Sequence, residues 1–333
     1  MAAAGTTAGG RIAIESHLDG SEARSLREDV RAGLTAPLKE IPPKHFYDTH
    51  GALLFERICT LPEYYQTRTE RSILTAHAGR IAKLTEASEL LELGSGSASK
   101  TRLLIAALLA KGTLRRYIPV DCTEKMVREC AQELAGDYPD LEVHGVIADF
   151  ERHLELLPAS GGRRLTIFLG GTIGNFPPQA RERFLAALAT SMRGDDHLLI
   201  GVDLVKDPAV LRAAYDDAAG VTAQFNRNLL RIINRELGAD FDLESFEHVA
   251  LYDEREQWIE MRLRARGAQR VRIAALALDV DFAPGEEIRT EISAKFTRAR
   301  ITRELDAVGL DLRAWLSEPG ERFALALAGV RGA

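Results

Sequence analysis

The sequence predicts an α/β protein in which a doubly wound, Rossmann-like parallel sheet is accompanied by a second lobe of the α+β class. Three observations support this fold class. Apolar strand-like segments alternate with helix-like segments from Leu90 to Asp203, and a Gly-x-Gly turn at Gly94–Gly96 joins the first of these strands to a helix. After Asp203 the alternation stops and strand-rich chain follows, which predicts an insertion.

Composition places the chain among ordinary soluble proteins, since 46% of its residues are hydrophobic and 28% are charged. A net charge of −6 offers no electrostatic basis for binding nucleic acid or an anionic membrane. Three cysteines without paired spacing indicate a reducing compartment, so we expect a cytoplasmic protein, which we take to be a monomer. Scattered histidines predict no metal site, and residues 1–20 are expected to be a disordered tail rather than a signal peptide.

The N-terminal region begins with a predicted helix at Ser21–Thr35, after which prolines break the chain. Tyr47 and the pair Tyr64–Tyr65 then fall within a short stretch, before helical periodicity resumes over Glu70–Leu84. On composition alone, these tyrosines are interpreted as half-buried packing residues with solvated hydroxyls.

The central region repeats the pattern of strand and helix that builds a parallel sheet. Strands are predicted at Leu90–Leu93, Tyr117–Asp121, Leu141–Phe150, Leu165–Gly170 and His197–Asp203, and helices at Arg102–Leu109, Thr123–Leu134 and Gln179–Arg193. Ligands of such sheets lie over the carboxyl ends of the strands. Asp121, Asp149, Phe150 and Asn175 all follow strand ends, as does the glycine turn. Any one of them alone is typical of a cap or a turn, but their convergence predicts a ligand site.

The glycine turn by itself leaves the cofactor open between a dinucleotide and S-adenosylmethionine. A dinucleotide site usually has a third glycine where helix packs on strand, and Ser99 occupies that position here. Together with the carboxylate of Glu92, two residues before the first glycine, this substitution favours S-adenosylmethionine.

The insertion is predicted to start with one long helix, Pro208–Leu237, which contains Tyr215. Strand-like segments follow at Val249–Tyr252, Gln257–Ala265, Val271–Phe282 and Ile288–Phe296. A helix at Arg298–Val308 then returns the chain to the main sheet. The closing strands Leu312–Leu316 and Phe323–Val330 are joined by a short link, so we expect them to pair antiparallel at or near one edge.

The last strand of the insertion alternates between two kinds of side chain. One face carries Ile288, Thr290, Ile292, Ala294 and Phe296, and the other carries Arg289, Glu291, Ser293 and Lys295. The second face is either an ordinary solvated surface or a pocket wall into which Glu291 and Ser293 point as a polar pair. Periodicity alone does not choose between these two interpretations.

From about Ser21 to Val330 the chain resembles the S-adenosylmethionine-dependent histidine Nα-methyltransferases, which form hercynine on the route to ergothioneine. The matching stretches are Pro43–Asp48, Leu61–Tyr65, Leu91–Gly96, Phe168–Asn175, Asp203–Asp207, Ala214–Asp217 and Thr290–Ser293. The family typically has proline after its paired tyrosines, where this chain has Gln66.

The resemblance implies two lobes: a methyltransferase domain of the class I type at 69–207 and 297–333, and a substrate-binding lobe at 21–68 and 208–296. It also implies roles for particular residues. The cofactor S-adenosylmethionine would be held by Gly94, Lys100, Asp121, Asp149 and Phe150. The substrate L-histidine would be held by Tyr64, Gly170, Asn175, Tyr215, Glu291 and Ser293, with Tyr47 and Asn175 taking part in catalysis and no metal involved.

The implied reaction is displacement at a sulfonium methyl group, which mainly requires that a neutral amine be positioned in line with that group. Tyr47, acting directly or through a water, is the candidate acceptor for the proton of the substrate ammonium. Two other functions remain open: methylation of another amino acid or a dipeptide on the same scaffold, and nucleotide sensing without catalysis.

Overall fold

The structure, a computed structural model, describes residues 11–18 and 21–332. The described chain forms two compact units. We call them the sheet unit, with described residues in 11–18, 69–204 and 296–332, and the insertion unit, with described residues in 21–68 and 205–295.

Helices and strands are each numbered in chain order. The helices are α1 (Ser21–Thr35), α2 (Thr49–Thr60), α3 (Gln66–Thr85), α4 (Arg102–Ala110), α5 (Glu124–Asp137), α6 (Pro178–Ser191), α7 (Pro208–Ala213), α8 (Val221–Leu237) and α9 (Arg298–Ala307). The strands are β1 (Ile12–Ser16), β2 (Lys39–Glu40), β3 (Glu89–Leu93), β4 (Arg116–Asp121), β5 (Glu142–Ile147), β6 (Arg164–Phe168), β7 (His197–Asp203), β8 (Phe246–Asp253), β9 (Trp258–Ala265), β10 (Gln269–Ile273), β11 (Leu278–Phe282), β12 (Glu287–Ala294), β13 (Leu310–Ser317) and β14 (Phe323–Val330). Among the described residues, no helix combines the length and apolar character needed to cross a bilayer.

The sheet unit is built on a sheet with the strand order β1-β5-β4-β3-β6-β7-β14-β13. In this sheet, the neighbouring strands from β1 through β5, β4, β3 and β6 to β7 all pair in parallel, which confirms the predicted doubly wound sheet. The closing hairpin of β13 and β14 is antiparallel and lies at one edge, as predicted. The chain winds in opposite directions from β3 and β6, so a ligand-binding crevice is expected at the carboxyl ends of these two strands.

The central strands are apolar because both of their faces are covered. Leu90, Leu165 and Leu199 on three neighbouring strands are fully buried in one core. Burial of both faces accounts for the near-continuous apolar runs that made these strands recognisable in the sequence.

Strand β1 corrects the prediction of a disordered tail over residues 1–20. Ile12–Ser16 pairs in parallel with β5 along its whole length, from Ile12 opposite Val143 to Ser16 opposite Ile147. Residues 1–10, 19 and 20 lie outside the described residues. The prediction was wrong for this strand because a five-residue edge strand is stabilised by a distant neighbour rather than by local sequence.

The insertion unit combines helices α1, α2, α7 and α8 with a sheet ordered β2-β12-β9-β8 and a separate β10–β11 hairpin. Its own core includes Phe225 and Leu229 of α8 and Phe246 of β8. Separate cores are consistent with two independently compact units.

Two predicted elements of the insertion are each divided in the structure. The helix predicted over Pro208–Leu237 is interrupted between α7 and α8, where Gly220 has a φ of 68° and the Asp217 carboxylate accepts hydrogen bonds from the first backbone N–H groups of α8. The strand predicted over Val271–Phe282 is the β10–β11 hairpin, which turns at Ala277 with a φ of 46°. Both predictions followed hydrophobic periodicity, which does not detect a cap or a tight turn.

Candidate functional site

The predicted glycine turn is present at the end of β3. Gly94 and Gly96 have φ values of 71° and 49°, a region that side-chain-bearing residues rarely adopt. The backbone N–H groups of Gly94 and Ser95 both donate to the carbonyl oxygen of Val120, at 2.9 and 3.1 Å. A Cβ at Gly94 would come within 3.7 Å of the Phe150 ring, so the turn and this ring are neighbours.

Asp121 ends β4 beside this turn. Its Oδ2 accepts from the N–H of Gly96 at 3.1 Å, and its Oδ1 accepts from the N–H of Thr123 at 2.9 Å. Because each carboxylate oxygen has two lone pairs, Asp121 can brace the turn and still accept hydrogen bonds from a ribose.

Asp149 and Phe150 follow the end of β5. The Oδ1 atom of Asp149 accepts from the N–H of Glu151 at 2.9 Å, which fixes the carboxylate in a local turn. The Phe150 ring packs edge-on against Phe168, with 5.4 Å between the ring centroids. A fixed carboxylate, an aromatic wall and a glycine turn in one neighbourhood fit the adenosine part of S-adenosylmethionine.

Lys100 is held by a buried carboxylate that sequence reasoning had not assigned to the site. Glu70, on α3, is fully buried; its Oε2 is paired with the Lys100 ammonium and its Oε1 accepts from the N–H of Gly170 at 2.8 Å. A Cβ at Gly201 would lie 2.2 Å from Oε1, so the glycine on β7 makes room for Glu70. The signal in the sequence was a glutamate on the buried face of a helix, one turn before Ile73 and Leu74.

Asn175 lies at the carboxyl end of β6, as the sequence predicted. Gly170 and Gly171 have φ values of 79° and 74°, and they turn the chain into a short 3-10 helix, Thr172–Asn175. Thr172 donates through its hydroxyl to the carbonyl of Leu169 at 3.1 Å and closes the turn. The sheet unit thus brings Lys100 next to Gly170, since a Cβ at Gly170 would lie 3.9 Å from the lysine nitrogen.

Glu92 lies inside the sheet unit, behind the glycine turn. Its carboxyl group accepts hydrogen bonds from the hydroxyls of Thr101 and Tyr117, which connect β3 to the start of α4 and to β4. Burial raises the pKa of Glu92 to about 7, although both hydrogen bonds act in the opposite direction. Glu92 therefore braces the elements around the turn.

In the insertion unit, Tyr47 and Tyr64 belong to an aromatic cluster with Phe55 and Phe225. The Tyr47 ring packs edge-on against both phenylalanines, at 5.6 and 5.7 Å between centroids, and 44% of its surface stays exposed. Tyr64 is buried against Phe55, and burial raises the pKa of its phenol well above the ordinary value of 10.0. Tyr64 is thus a hydrogen-bond donor at neutral pH and not a base.

The expectation that these tyrosines are half-buried with solvated hydroxyls is wrong for the pair Tyr64–Tyr65. Both are buried, and the Tyr65 hydroxyl accepts from the Lys206 ammonium at 2.7 Å. Composition could not reveal this, because the partner lies far along the chain.

Strand β12 places Ser293 in a buried polar cluster with Tyr215 and Lys295. The Tyr215 hydroxyl donates to Ser293 Oγ at 2.7 Å, while the Lys295 ammonium donates to the same Oγ at 2.8 Å and to the Tyr215 oxygen at 3.0 Å. Lys295 is completely buried and lies 4.7 Å from the centre of the Tyr215 ring. We call these three residues the donor cluster.

The donor cluster rules out a solvated face at the end of β12. Ser293 and Lys295 are buried, and Glu291 is half-buried. Burial alternates from Glu287 to Ile292, across the position where the pairing of β12 with β9 skips Thr290, and becomes continuous only from Ser293 onward. The Thr290 hydroxyl donates to the Asn226 side-chain oxygen and to the carbonyl of Met261. Sequence reasoning assigned Ser293 and Glu291 to a site but missed Lys295, which the pattern placed on the face that was open to solvation.

Within the insertion unit, the predicted substrate residues are close to one another. Burial raises the pKa of Tyr64, and the neighbouring ionisable groups of Tyr215, Cys59, Tyr47 and Glu291 raise this pKa further. Residues 11–18 and 21–332 contain no group of three or more His, Cys, Asp or Glu side chains that could hold a metal ion.

Comparison with known proteins matches residues 26–330 to a family model described as histidine-specific, S-adenosylmethionine-dependent methyltransferase. The chain is 51% identical to the histidine N-alpha-methyltransferase of Mycolicibacterium smegmatis, over 92% of this chain and 96% of that protein. It is 50% identical to the histidine N-alpha-methyltransferase of Mycobacterium tuberculosis, over 96% of this chain and 99% of that protein. A further relative is ergothioneine biosynthesis protein 1 of Schizosaccharomyces pombe, 32% identical over 65% of this chain and 29% of that longer protein. Because the family model covers most of the chain and both mycobacterial relatives are about half identical over nearly their whole length, the chain belongs to the family of histidine-specific, S-adenosylmethionine-dependent methyltransferases.

Proposed function

We propose that this protein transfers methyl groups from S-adenosylmethionine to the α-amine of L-histidine, in three rounds that yield hercynine for ergothioneine biosynthesis. The observation that carries the proposal is a sequence identity of 51% and 50% to two histidine N-alpha-methyltransferases over nearly their whole length. The relative named for ergothioneine biosynthesis supports the pathway.

The sheet unit is proposed to bind the cofactor. Asp121 accepts the ribose hydroxyls, Asp149 accepts from the adenine amine, and Phe150 lies against the adenine ring. The Lys100 ammonium has three N–H groups. It is paired with Glu70 and donates its remaining N–H groups to the carboxylate of the cofactor. The left-handed turn at Gly94 lets the backbone approach the ligand closely.

The insertion unit is proposed to bind much of the substrate. Tyr64 acts as an uncharged hydrogen-bond donor, which its raised pKa supports. Tyr215 borders the substrate while its own hydroxyl donates to Ser293. Glu291 and Ser293 offer a carboxylate and a hydroxyl to the two ring nitrogens of histidine. In the sheet unit, Asn175 supplies an amide to the amino-acid backbone, and Gly170 lines the side of the amine.

When bound, S-adenosylmethionine supplies an electrophilic methyl group, and attack by the amine forms the nitrogen–carbon bond as the carbon–sulfur bond breaks. The protein therefore needs to orient a neutral amine and to remove one proton from the substrate nitrogen in each round. We propose that Asn175 orients the amine and that Tyr47, whose ring is partly exposed, passes the proton to water. A fully methylated nitrogen carries neither proton nor lone pair, so the sequence of transfers ends there.

The test is to incubate the protein with S-adenosylmethionine and each of a panel of amino acids and histidine dipeptides, and to measure product masses. We expect histidine with one, two and finally three added methyl groups, and no product from the others. Preferential methylation of a different amino acid or a dipeptide would replace the proposed substrate. Cofactor binding without any product would instead support a nucleotide-sensing module.

We also propose that the protein works in the cytoplasm as a monomer. The absence of paired spacing among the three cysteines of the sequence, Cys59, Cys122 and Cys130, fits a reducing compartment. Light scattering during gel filtration should give the mass of one chain, and twice that mass would contradict the monomer.

A further inference from the structure

Lys295 is a buried cation that none of the roles assigned above uses. It is completely shielded from solvent, and its ammonium lies within hydrogen-bond distance of two hydroxyls, those of Tyr215 and Ser293. Both hydroxyls belong to residues proposed to hold the substrate. Burying a lysine is costly, so its direct contact with two such residues calls for a functional explanation.

The inference depends on the direction of three hydrogen bonds: Lys295 donates to both hydroxyls, and the Tyr215 hydroxyl donates to Ser293 Oγ. An ammonium group has three N–H donors and no lone pair, so it can only donate. A serine hydroxyl has one O–H donor and two lone pairs. Ser293 Oγ accepts from Lys295 at 2.8 Å and from Tyr215 at 2.7 Å, and these two bonds use both of its lone pairs. What Ser293 has left to offer is its own proton.

We propose that Lys295 is a positioning residue that makes Ser293 an obligate hydrogen-bond donor, so that the substrate atom it meets must be a lone-pair acceptor. This inference rests on the proposed function, because it assumes that Ser293 contacts the bound amino acid. Two groups of histidine have the required chemistry, the unprotonated ring nitrogen and the α-carboxylate. A ring nitrogen that carries hydrogen, as both nitrogens do in the protonated ring, binds poorly at Ser293. Its N–H and the Ser293 O–H would then be two donors facing each other, without water between them.

The experiment measures binding of three probes by calorimetry, with S-adenosylhomocysteine present. The probes are L-histidine, histamine, which lacks the carboxylate, and 3-(pyrrol-2-yl)alanine, whose ring nitrogen donates but does not accept. The parent is compared with Lys295→Met, which keeps an unbranched side chain without donors. The parent should prefer histidine over at least one of the other probes by about tenfold or more, the worth of a hydrogen bond to a charged or desolvated partner.

In Lys295→Met, Ser293 regains a lone pair and can turn to accept. If the cluster serves the ring, the preference for histidine over pyrrolylalanine should shrink about tenfold, with the preference over histamine retained. If it serves the carboxylate, the preference over histamine should shrink instead. Unchanged ratios for both pairs would overturn the proposal.

Two further variants separate positioning from simple loss of structure. Tyr215→Phe also frees a lone pair on Ser293 and should loosen the same ratio, and it remains informative if Lys295→Met does not fold. Ser293→Ala removes the group that Lys295 acts on, so adding Lys295→Met to it should change the ratio no further. Additive effects in that double variant would contradict the inference. A parent protein that does not bind histidine at all would instead refute the proposed function.

Discussion

At the scale of single residues, the proposed cofactor site contains carboxylates that each bind two groups. Asp121 accepts from the backbone N–H groups of Gly96 and Thr123, and it has lone pairs left for a ribose. Glu70 accepts from the N–H of Gly170 and is paired with the Lys100 ammonium. Each carboxylate thus braces a turn and also takes part, directly or through Lys100, in the proposed binding of the cofactor.

Replacing Asp121 by alanine should weaken the binding of S-adenosylmethionine and S-adenosylhomocysteine by about 1–3 kcal/mol, because charge-assisted hydrogen bonds are lost and the glycine turn loses its brace. Calorimetric titration with either ligand measures the change. Asp140→Ala, at an exposed position, serves as the matched control and should bind like the parent. An unchanged affinity in Asp121→Ala would remove this residue from the site.

At the scale of elements, the ends of helices and strands place the functional groups. The break between α7 and α8 holds Tyr215 just before Asp217, and the Asp217 carboxylate caps α8 through the N–H groups of Val221 and Thr222 at 2.9 and 2.7 Å. In β12, the skipped pairing at Thr290 precedes the segment in which both Ser293 and Lys295 are buried. The donor cluster thus joins Tyr215, in the break between two helices, to Ser293 and Lys295 at the end of a strand.

Replacing Asp217 by alanine should lower the free energy of unfolding by about 1 kcal/mol, the usual cost of losing a helix cap. Urea unfolding followed by circular dichroism measures this. Asp217→Asn keeps one of the two accepting oxygens and should recover part of the lost stability. If asparagine destabilises the protein as much as alanine does, capping is not what Asp217 contributes.

At the scale of the whole molecule, stability depends on pH through a carboxyl group in the middle of the main sheet. Burial raises the pKa of Glu92 from its ordinary value of 4.5 to about 7. Between these two values the folded state holds the proton more tightly than the unfolded state does. The stability that Glu92 contributes is therefore complete below the lower value and is lost as the pH rises through the upper one.

The parent should consequently lose up to about 3 kcal/mol of stability relative to Glu92→Gln as the pH is raised from 5 to 8, since an amide does not ionise. Denaturant unfolding at several pH values measures the difference between the two proteins. Glu155→Gln, at an exposed glutamate, should follow the parent at every pH. A constant difference between the parent and Glu92→Gln would mean that this carboxyl group does not titrate in the range.

A structural feature could be predicted from the sequence when residues close together in the chain determine it. The strands of the main sheet, the turn at Gly94 and the strand-end position of Asp121 were all predictable, because apolar periodicity and glycine–carboxylate spacing are local properties. The resemblance to the methyltransferase family located Tyr215 and Ser293 in the same way, through short stretches of chain.

Features that depend on distant partners were beyond local patterns. Strand β1 forms because β5 supplies the hydrogen-bonding partner for its backbone. Glu70 joins the proposed site because folding brings Lys100 and Gly170 to its two oxygens. The alternating pattern placed Lys295 on a polar strand face that could equally have been exposed to solvent. The sequence by itself determined the fold class, the family and the strand-end residues, whose signals are periodic and local. Only the tertiary structure decided which polar groups are buried together, because burial and hydrogen-bond direction depend on neighbours that are far away along the chain.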